Sequence, residues 1–266
     1  MLSPESSVAF YIANYPVKYY SLIMLVAMLL GTFLSYSIAK IYYKDIFLDK
    51  FLDMLPITII CGILGARIYY VLMDWAYYSN HLIEIFEIYK GGLSIHGAIL
   101  GGFLGGFCYI KKHKLNLWKY ADIFAYGLLL GQIIGRFGNY FNIEAFGKPC
   151  HYSNLICLYI PEKYRPIQYL NNDFFHPTFL YEAFFNLIIL LILFFVIRKL
   201  TKNTDGVIFI SYLGLYSLGR FFIEGLRVDS VLNIGSIHIA QIVSFVLVIF
   251  SLIMFFGKIK SNRIKP

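Results

Sequence analysis

The chain has 266 residues, of which 59% are hydrophobic and 14% are charged, and its formal net charge is +8. Soluble domains contain about 25% charged residues, so the composition excludes an ordinary water-soluble enzyme and a disordered chain. Four cysteines in a chain of this length also exclude a small disulfide scaffold. The sequence therefore predicts an integral membrane protein.

Seven apolar stretches are each near the ~20 residues that a membrane-spanning helix needs. The first lies between Lys18 and Lys40. The first 17 residues contain no Lys or Arg, so we expect this stretch to stay in the membrane rather than serve as a secretory signal. The others lie at about residues 54–73, 93–110, 121–139, 178–197, 206–224 and 238–257. These stretches predict an all-α, polytopic membrane protein with about seven transmembrane helices in a single domain, residues 1–266.

The basic residues are distributed unevenly among the connections. Of the 23 Lys and Arg residues, 14 lie in the first, third and fifth connections and in the C-terminal tail, and six lie on the opposite side. Cytoplasmic segments are enriched in Lys and Arg, so this distribution predicts an outer N-terminus and a cytoplasmic C-terminus. The other three, Arg67, Arg136 and Arg220, fall in or at the spans.

Two connections on the predicted outer side are long. Residues 75–92 are expected to form a helix that either lies in the membrane interface or packs on the bundle. Its apolar positions recur at helical spacing: Leu82, Ile85, Phe86 and Tyr89. Residues 140–177 form an outer loop that contains Cys150 and Cys157. A disulfide between these cysteines and two separate thiols are equally compatible with the sequence.

Polar and ionisable side chains collect near the outer ends of the spans, where an unpaired charge is costly and therefore informative. They are His96, Arg136, Asn139, Glu144, Glu182, Arg220 and Glu224. Tyr216, Arg220 and Glu224 recur every four residues and share one helical face, on which the last two can pair. A guanidinium held in this way suits a phosphate or carboxylate ligand, and a structural ion pair between helices is the alternative.

The fourth span ends in GRFGNYFNIEAFG, residues 135–147, which combines glycines with Arg136 and two asparagines. Arginine and asparagine supply donors that suit a phosphodiester, although a polar capping turn would use the same residues. This density of polar groups favours a ligand site.

The third span opens with SIHGAILGGFLGGF, in which Gly97, Gly101 and Gly105 recur every four residues. Small residues at this spacing let membrane helices approach closely, so we expect these glycines to be structural. His96 at the start of the span is a candidate proton acceptor near neutral pH, or else a hydrogen-bonded packing residue.

Together these motifs resemble those of the bacterial prolipoprotein diacylglyceryl transferases. The resemblance covers GRFGNYFNIEAFG, IHGA at 95–98, HPTFLYEA at 176–183 and YSLGRFFIEGLRVD at 216–229, in the family's order. It implies an inner-membrane enzyme, acting toward the outer face, that moves the diacylglyceryl group of phosphatidylglycerol onto the lipobox cysteine of a prolipoprotein and releases glycerol phosphate. The departures are mild: Ala98, Tyr140 and Ser217 stand where the family usually has glycine, phenylalanine and glycine.

The resemblance also implies roles for nine residues. We expect three to be catalytic: His96, Arg136 and Arg220. Six are expected to bind substrate: Tyr20, Asn139, Glu144, Gly147, Tyr216 and Glu224. The two arginines would bind the phosphodiester, Glu144 and Glu224 would orient them, and His96 would act as the base or orient the thiol. We expect no metal or other cofactor, because the arginines supply the positive charge.

The strongest competing interpretation is a membrane transporter of an anionic solute. Intramembrane arginines and glutamates also mark ion pathways. The sequence shows no repeat between its halves, a feature that many transporters have, and this favours the enzyme.

Overall fold

The computed structural model describes residues 7–88, 91–151, 156–201, 204–228, 233–234 and 237–263. These residues form two compact units, and the chain is divided at residues 38/39 and 120/121. One unit holds the two ends of the chain, residues 1–38 and 121–266, and the other holds residues 39–120.

Helices dominate both units. They are α1 (Tyr19–Tyr42), α2 (Leu48–Met73), α3 (Trp75–Tyr78), α4 (Ile95–Lys112), α5 (Leu117–Asn142), α6 (Thr178–Ile192), α7 (Arg198–Leu200), α8 (Val207–Glu224) and α9 (Ile239–Arg263). A π-helical turn at Leu193–Ile197 joins α6 and α7 into one continuous helix. Short 3-10 helices lie at Leu82–Phe86, Glu162–Tyr164 and Ile167–Tyr169. Three antiparallel hairpins pair β1 (Val8–Ile12) with β2 (Tyr15–Lys18), β3 (Leu158–Tyr159) with β4 (Phe174–Phe175), and β5 (Asn233–Ile234) with β6 (Ile237–His238).

Five helices in the described part of the chain are long and apolar enough to cross a membrane. They are Tyr19–Tyr42, Leu48–Met73, Thr178–Leu200, Val207–Glu224 and Ile239–Lys260. The prediction of a mostly helical, polytopic membrane protein is thereby confirmed. Helices α4 and α5 are outside this set because α4 is rich in glycine and ends in two lysines, and α5 contains charged residues. The count of seven and the orientation of the termini stay predictions.

In the unit of residues 39–120, α2 and α4 pack backbone against backbone. A Cβ atom added to Gly97 would overlap the carbonyl oxygen of Gly65, and one added to Gly101 would overlap the carbonyl oxygen of Cys61. The expectation that these glycines serve helix packing is thus confirmed. Gly102, on the neighbouring face, has its nearest contact at 3.5 Å, where a Cβ fits.

Arg67 of α2 holds the connection between α2 and α4. It is 6% exposed and donates to the carbonyl oxygens of Ile85, Glu84, Gly91 and Gly92 at 2.5–3.0 Å. These carbonyls solvate the buried guanidinium, which has no carboxylate among the contacts that the structure describes for it.

The predicted arm at 75–92 contains less regular helix than expected. Its helical spacing ends after the five-residue 3-10 helix Leu82–Phe86, and Tyr89 and Lys90 lie outside the described residues. Ile83 and Phe86 are each 82% exposed, so the arm presents apolar side chains outward. Carbonyl groups of this segment bind Arg67 instead of continuing an α-helix.

An ion pair joins the connection after α1 to the first turn of α5. Lys119 donates to Asp45, and this hydrogen bond holds the pKa of the Asp45 carboxyl below its ordinary value. Both groups therefore stay charged at neutral pH, although most of the Asp45 side chain is exposed and the pair adds little stability.

In the other unit, α5 packs against α1 and also supports α8. Ser35 of α1 donates to the carbonyl oxygen of Ile123 at 3.2 Å. Asp122, which is buried, accepts from the backbone N–H groups of Gly206 and Phe209 at 2.7 and 2.8 Å. Asp122 thus caps the first turn of α8 from a different helix, which explains a charge at the start of a predicted span.

The connection between α5 and α6 is shorter than the predicted loop at 140–177, because α5 continues through Asn142. After it, apolar side chains form a small core of their own. The members are Ala145, Phe146, Leu158, Ile160, Phe175 and Phe179. Cys150 and Cys157 form a disulfide, so the first of the two alternatives holds for these cysteines. This core fixes the chain between α5 and α6.

Candidate active site

Two arginines from different helices meet on one carboxylate. Arg136, near the end of α5, lies with Nη2 2.5 Å from Oε2 of Glu182 in the second turn of α6. Arg220 of α8 donates from Nη1 to Oε1 of the same carboxylate at 2.6 Å. Glu182 therefore holds both guanidinium groups at once, with one oxygen for each.

The second carboxylate of the cluster is Glu224, one turn beyond Arg220. Nη2 of Arg220 lies 2.7 Å from Oε2 of Glu224, and the expected pairing of these two residues is confirmed. Arg227, just after α8, lies with Nη1 3.8 Å from Oε1 of Glu182. The His238 ring donates from Nδ1 to the backbone carbonyl of Glu224 at 2.9 Å. We call these five charged residues the arginine cluster: Arg136, Glu182, Arg220, Glu224 and Arg227.

Burial separates the two signs of charge in the arginine cluster. The carboxylates of Glu182 and Glu224 are only 3–4% exposed, whereas the three arginine side chains are 14–21% exposed. In the described contacts, three guanidinium groups rest on two buried carboxylates, and the positively charged groups are on the more accessible side. Such an arrangement attracts an anion, and the forked donors of arginine suit the oxygens of a phosphate.

Glu144 takes a different role from the one predicted. Its Oε1 accepts from Nδ2 of Asn139 at 2.9 Å and from Nδ2 of Asn142 at 3.2 Å. Arg136, the arginine that Glu144 was expected to orient, pairs with Glu182 instead. The expectation of a Glu144–arginine pair was wrong, because the carboxylate lies next to asparagine amides of the last α5 turns. Asn139 and Glu144 are nevertheless brought together.

Gly147 joins its own segment to the residues just before α6 and to the residues just after α8. Its N–H donates to the carbonyl of His176 at 2.7 Å, and its backbone forms an antiparallel bridge with Arg227. A Cβ here would lie 2.8 Å from Cγ2 of Thr178 and 3.0 Å from the Leu226 carbonyl, so only glycine fits. Gly147 therefore determines how closely the loop approaches Arg227.

Ala145, two residues earlier, ties the loop to α6. Its backbone is left-handed, with φ of 57°, and its carbonyl accepts from the Thr178 hydroxyl at 2.6 Å and from the Phe179 N–H at 3.0 Å. The start of α6, and with it Glu182, is thereby fixed relative to the end of α5.

Two predicted tyrosines lie on the helices of this unit. Tyr20, in the first turn of α1, packs its ring on Gly138 of α5, two residues after Arg136. Tyr216 of α8 lies one turn before Arg220, with its ring centroid 5.8 Å from that of Tyr212. Both side chains are partly buried, as residues that line a pocket would be.

His96 belongs to the other unit, where it lies in the first turn of α4. Its side chain is exposed, and its ring is 5.9 Å from the ring of Tyr69. The role of His96 as a base stays a prediction.

The sequence indicates Glu182 as a charged residue near the end of a span but does not by itself give it a role in the site. Arg227 and His238 were also left out of the predicted site. The signal for Glu182 was present in HPTFLYEA, where a single carboxylate enters a long apolar helix. A carboxylate at that depth requires a partner, and three arginines were available.

Comparison with known proteins shows relatives that match most of the chain. A family model described as prolipoprotein diacylglyceryl transferase matches residues 7–257. A Clostridium botulinum protein named phosphatidylglycerol–prolipoprotein diacylglyceryl transferase is 39% identical over 96% of this chain and 98% of its own. Proteins of the same name from Acaryochloris marina and Bacillus velezensis are 44% and 40% identical, over 89% and 97% of this chain and 85% and 94% of theirs.

These relatives carry a transferase name, and the transporter alternative gains no support from them. The family model and the relatives each cover more than four fifths of the chain, and the four motifs that carry the resemblance lie within the matched residues. The chain belongs to the prolipoprotein diacylglyceryl transferase family.

Proposed function

We propose that this protein transfers the diacylglyceryl group of phosphatidylglycerol to the lipobox cysteine of a prolipoprotein. The observation that supports this proposal most directly is that Arg136 and Arg220 both contact the buried carboxylate of Glu182. Family membership supports the same transferase activity.

The reaction forms one bond and breaks another. The cysteine thiol loses its proton, and the sulfur attacks the glycerol carbon that carries the phosphate. A thioether forms, the carbon–oxygen bond breaks, and its electron pair leaves with the oxygen of glycerol phosphate. A free thiol has a pKa of about 8.5, so a base speeds the reaction at neutral pH by taking the thiol proton.

In this mechanism the arginine cluster binds the phosphodiester and stabilises the charge that grows on the leaving phosphate. Donors that are already oriented act most strongly where water is scarce. Glu182 and Glu224 hold Arg220 from two sides, so its fork does not reorganise during the reaction. Arg136 meets the phosphate from the opposite helix.

The remaining predicted residues have supporting roles in this mechanism. Asn139, held by Glu144, hydrogen-bonds the lipid headgroup, and Tyr20 and Tyr216 line the pocket. Gly147 holds the outer loop beside Arg227. His96 takes the thiol proton or orients the thiol, a role that suits imidazole near neutral pH.

We further propose that α4 and α5 cross the membrane together with the five more apolar helices, which makes seven spans. The distribution of Lys and Arg supports an outer N-terminus and a cytoplasmic C-terminus in the bacterial inner membrane. The active site then faces outward, with residues 75–92 as an interfacial arm and residues 140–177 as an outer loop of a single transferase domain. Both substrates carry apolar chains, so they enter sideways from the bilayer.

The test is to incubate the purified protein with phosphatidylglycerol and a lipobox peptide. We expect a lipidated peptide and an equal amount of free glycerol phosphate, and neither product when serine replaces the peptide cysteine. Folded protein that yields neither product from the cysteine peptide would overturn the proposal.

A further inference from the structure

A second layer of polar residues lies one helical turn from the arginine cluster, toward the interior of the bundle. Gln132 precedes Arg136 by four residues on α5, and Asn186 follows Glu182 by four on α6. The two helices run in opposite directions through the cluster, since Arg136 lies near the end of α5 and Glu182 near the start of α6. Gln132 and Asn186 are therefore displaced from the arginine cluster in the same direction along the helices, each by about 6 Å.

Each of these two side chains has one buried polar atom without a hydrogen-bond partner among the described residues. Asn186 is 2% exposed, and its Nδ2 has no hydrogen-bond acceptor among the residues that the structure describes. Gln132 donates from Nε2 to the Tyr212 hydroxyl at 2.9 Å, and its Oε1 is buried without a donor in the same described set. A buried amide group without a hydrogen-bond partner is unfavourable, so a bound ligand that supplies the partner is favoured at this position.

The chemistry of the missing partner is restricted by charge. Residues 123–135 of α5, 183–197 of the α6 helix and 207–219 of α8 contain no charged side chain, so this layer cannot neutralise a phosphate. It offers amide groups to a neutral acceptor. If the Gln132 amide is rotated by 180°, its Oε1 accepts a hydrogen bond from the Tyr212 hydroxyl, because a phenol both donates and accepts. Its Nε2 then presents an N–H group to the layer, in addition to the N–H groups of Asn186.

We propose that Asn186 and Gln132 bind the ester carbonyl oxygens of the phospholipid whose phosphate lies on the arginine cluster. This inference rests on the proposed function. In a glycerophospholipid only glycerol carbons and ester oxygens separate the phosphate from the first carbonyl, a reach of about one helical turn. Ester carbonyl oxygens are also the strongest hydrogen-bond acceptors that such a lipid carries beyond its glycerol phosphate.

The consequence for the reaction is positional. Hydrogen bonds at the phosphate and at the carbonyls hold the glycerol unit at both ends, so the carbon between them is kept at one depth. The sulfur must reach that carbon in line with the leaving oxygen, and a fixed depth raises the fraction of bound lipid in this geometry. Asn186 is then a substrate-binding residue that also selects ester-linked lipids.

The experiment compares diester phosphatidylglycerol with its dialkyl ether analogue, which has the same headgroup and no carbonyls. For the unaltered protein we expect kcat/KM to be about five- to tenfold higher with the diester, as for one or two neutral hydrogen bonds. Asn186→Leu should lower kcat/KM for the diester by about fivefold and leave the ether value unchanged. Equal loss with both lipids, or no loss with the diester, would overturn the proposal.

Two further variants keep the test decisive. Gln132→Leu should reduce the same diester preference, and it replaces Asn186→Leu if that variant does not fold. Ser251→Ala removes another buried hydroxyl without a described partner, on α9, and should leave both lipids unaffected. If the unaltered protein uses neither lipid, the proposed function itself fails, whereas equal use of both refutes only the ester-binding inference.

Discussion

Arg220 donates to Glu182 across 2.6 Å and thereby joins α8 to α6. Arg136 occupies the other oxygen of the same carboxylate, so the positions of the two guanidinium groups depend on each other. Glu182 is 3% exposed, so water cannot replace its carboxylate as the partner of the two arginines. A change at this one carboxylate is therefore felt by both arginines.

Replacing Glu182 with glutamine keeps the size of the side chain and removes its charge. We expect Glu182→Gln to lower kcat/KM by about a hundredfold, since both arginines lose their shared anchor and the geometry of a preorganised site is worth about that much. The measurement is glycerol phosphate release, with circular dichroism to verify the fold. Glu162→Gln, a matched change in the exposed outer loop, should have no effect. Activity of Glu182→Gln equal to that of the unaltered protein would contradict the shared-anchor role.

The two arginines should differ in their tolerance of lysine. Arg220 contacts two carboxylates with its two terminal nitrogens, whereas the described contact of Arg136 is with Glu182 alone. A lysine has one charged nitrogen and cannot reproduce a fork. Arg136→Ala and Arg220→Ala should both abolish product release, and Arg220→Lys should be more severely impaired than Arg136→Lys. The reverse order of the lysine variants would show that the fork of Arg220 is not needed.

The role of His96 is tested by pH dependence. If His96 is the base, it must be neutral to accept the thiol proton, so activity should fall at acidic pH. His96→Gln should have a much lower kcat and no such acidic limb. The control is His81→Gln, at an exposed ring stacked on Tyr77. Normal turnover of His96→Gln at pH 7 would rule out an essential base at this position.

Adjacent glycines of α4 provide a matched pair for helix packing. Gly101→Ala should destabilise the protein, because its Cβ would overlap the Cys61 carbonyl of α2. Gly102→Ala places its Cβ 3.5 Å from the nearest atom, so it should be neutral or slightly stabilising. Thermal unfolding in detergent measures the difference, and equal midpoints for the two variants would contradict the close α2–α4 contact.

The capping of α8 by Asp122 makes a further prediction about stability. Asp122→Ala leaves two backbone N–H groups at the start of α8 without their acceptor and should cost about 1–2 kcal/mol. Asp122→Asn keeps one acceptor oxygen and should cost less. Urea unfolding would measure both, and a larger loss for asparagine than for alanine would refute the capping role.

Local rules explain which parts of the site could be read from the sequence. Arg220 and Glu224 are four residues apart on one helix, so their pairing follows from helical geometry. The packing role of the α4 glycines follows from the same kind of spacing. Their contacts on α2, Gly65 and Cys61, are also four residues apart. The hydropathy of the long segments likewise predicted membrane helices before any packing was known.

Contacts between distant segments needed the tertiary structure. Whether Arg136 pairs with Glu144 or with Glu182 depends on how α5 and α6 are rotated against each other, and the nearer residue in sequence proved to be the wrong partner. The sequence alone does not show whether Arg67 pairs with a carboxylate. In the structure it donates to backbone carbonyl oxygens of the connection between α2 and α4.

The sequence by itself thus determined the membrane class, the family motifs and the Arg220–Glu224 ion pair within α8, because composition and helical periodicity are local properties. The tertiary structure decided that Glu182 is the shared carboxylate and that Glu144 holds asparagines. Those assignments depend on which faces of separate helices meet, and side-chain packing rather than sequence spacing sets that.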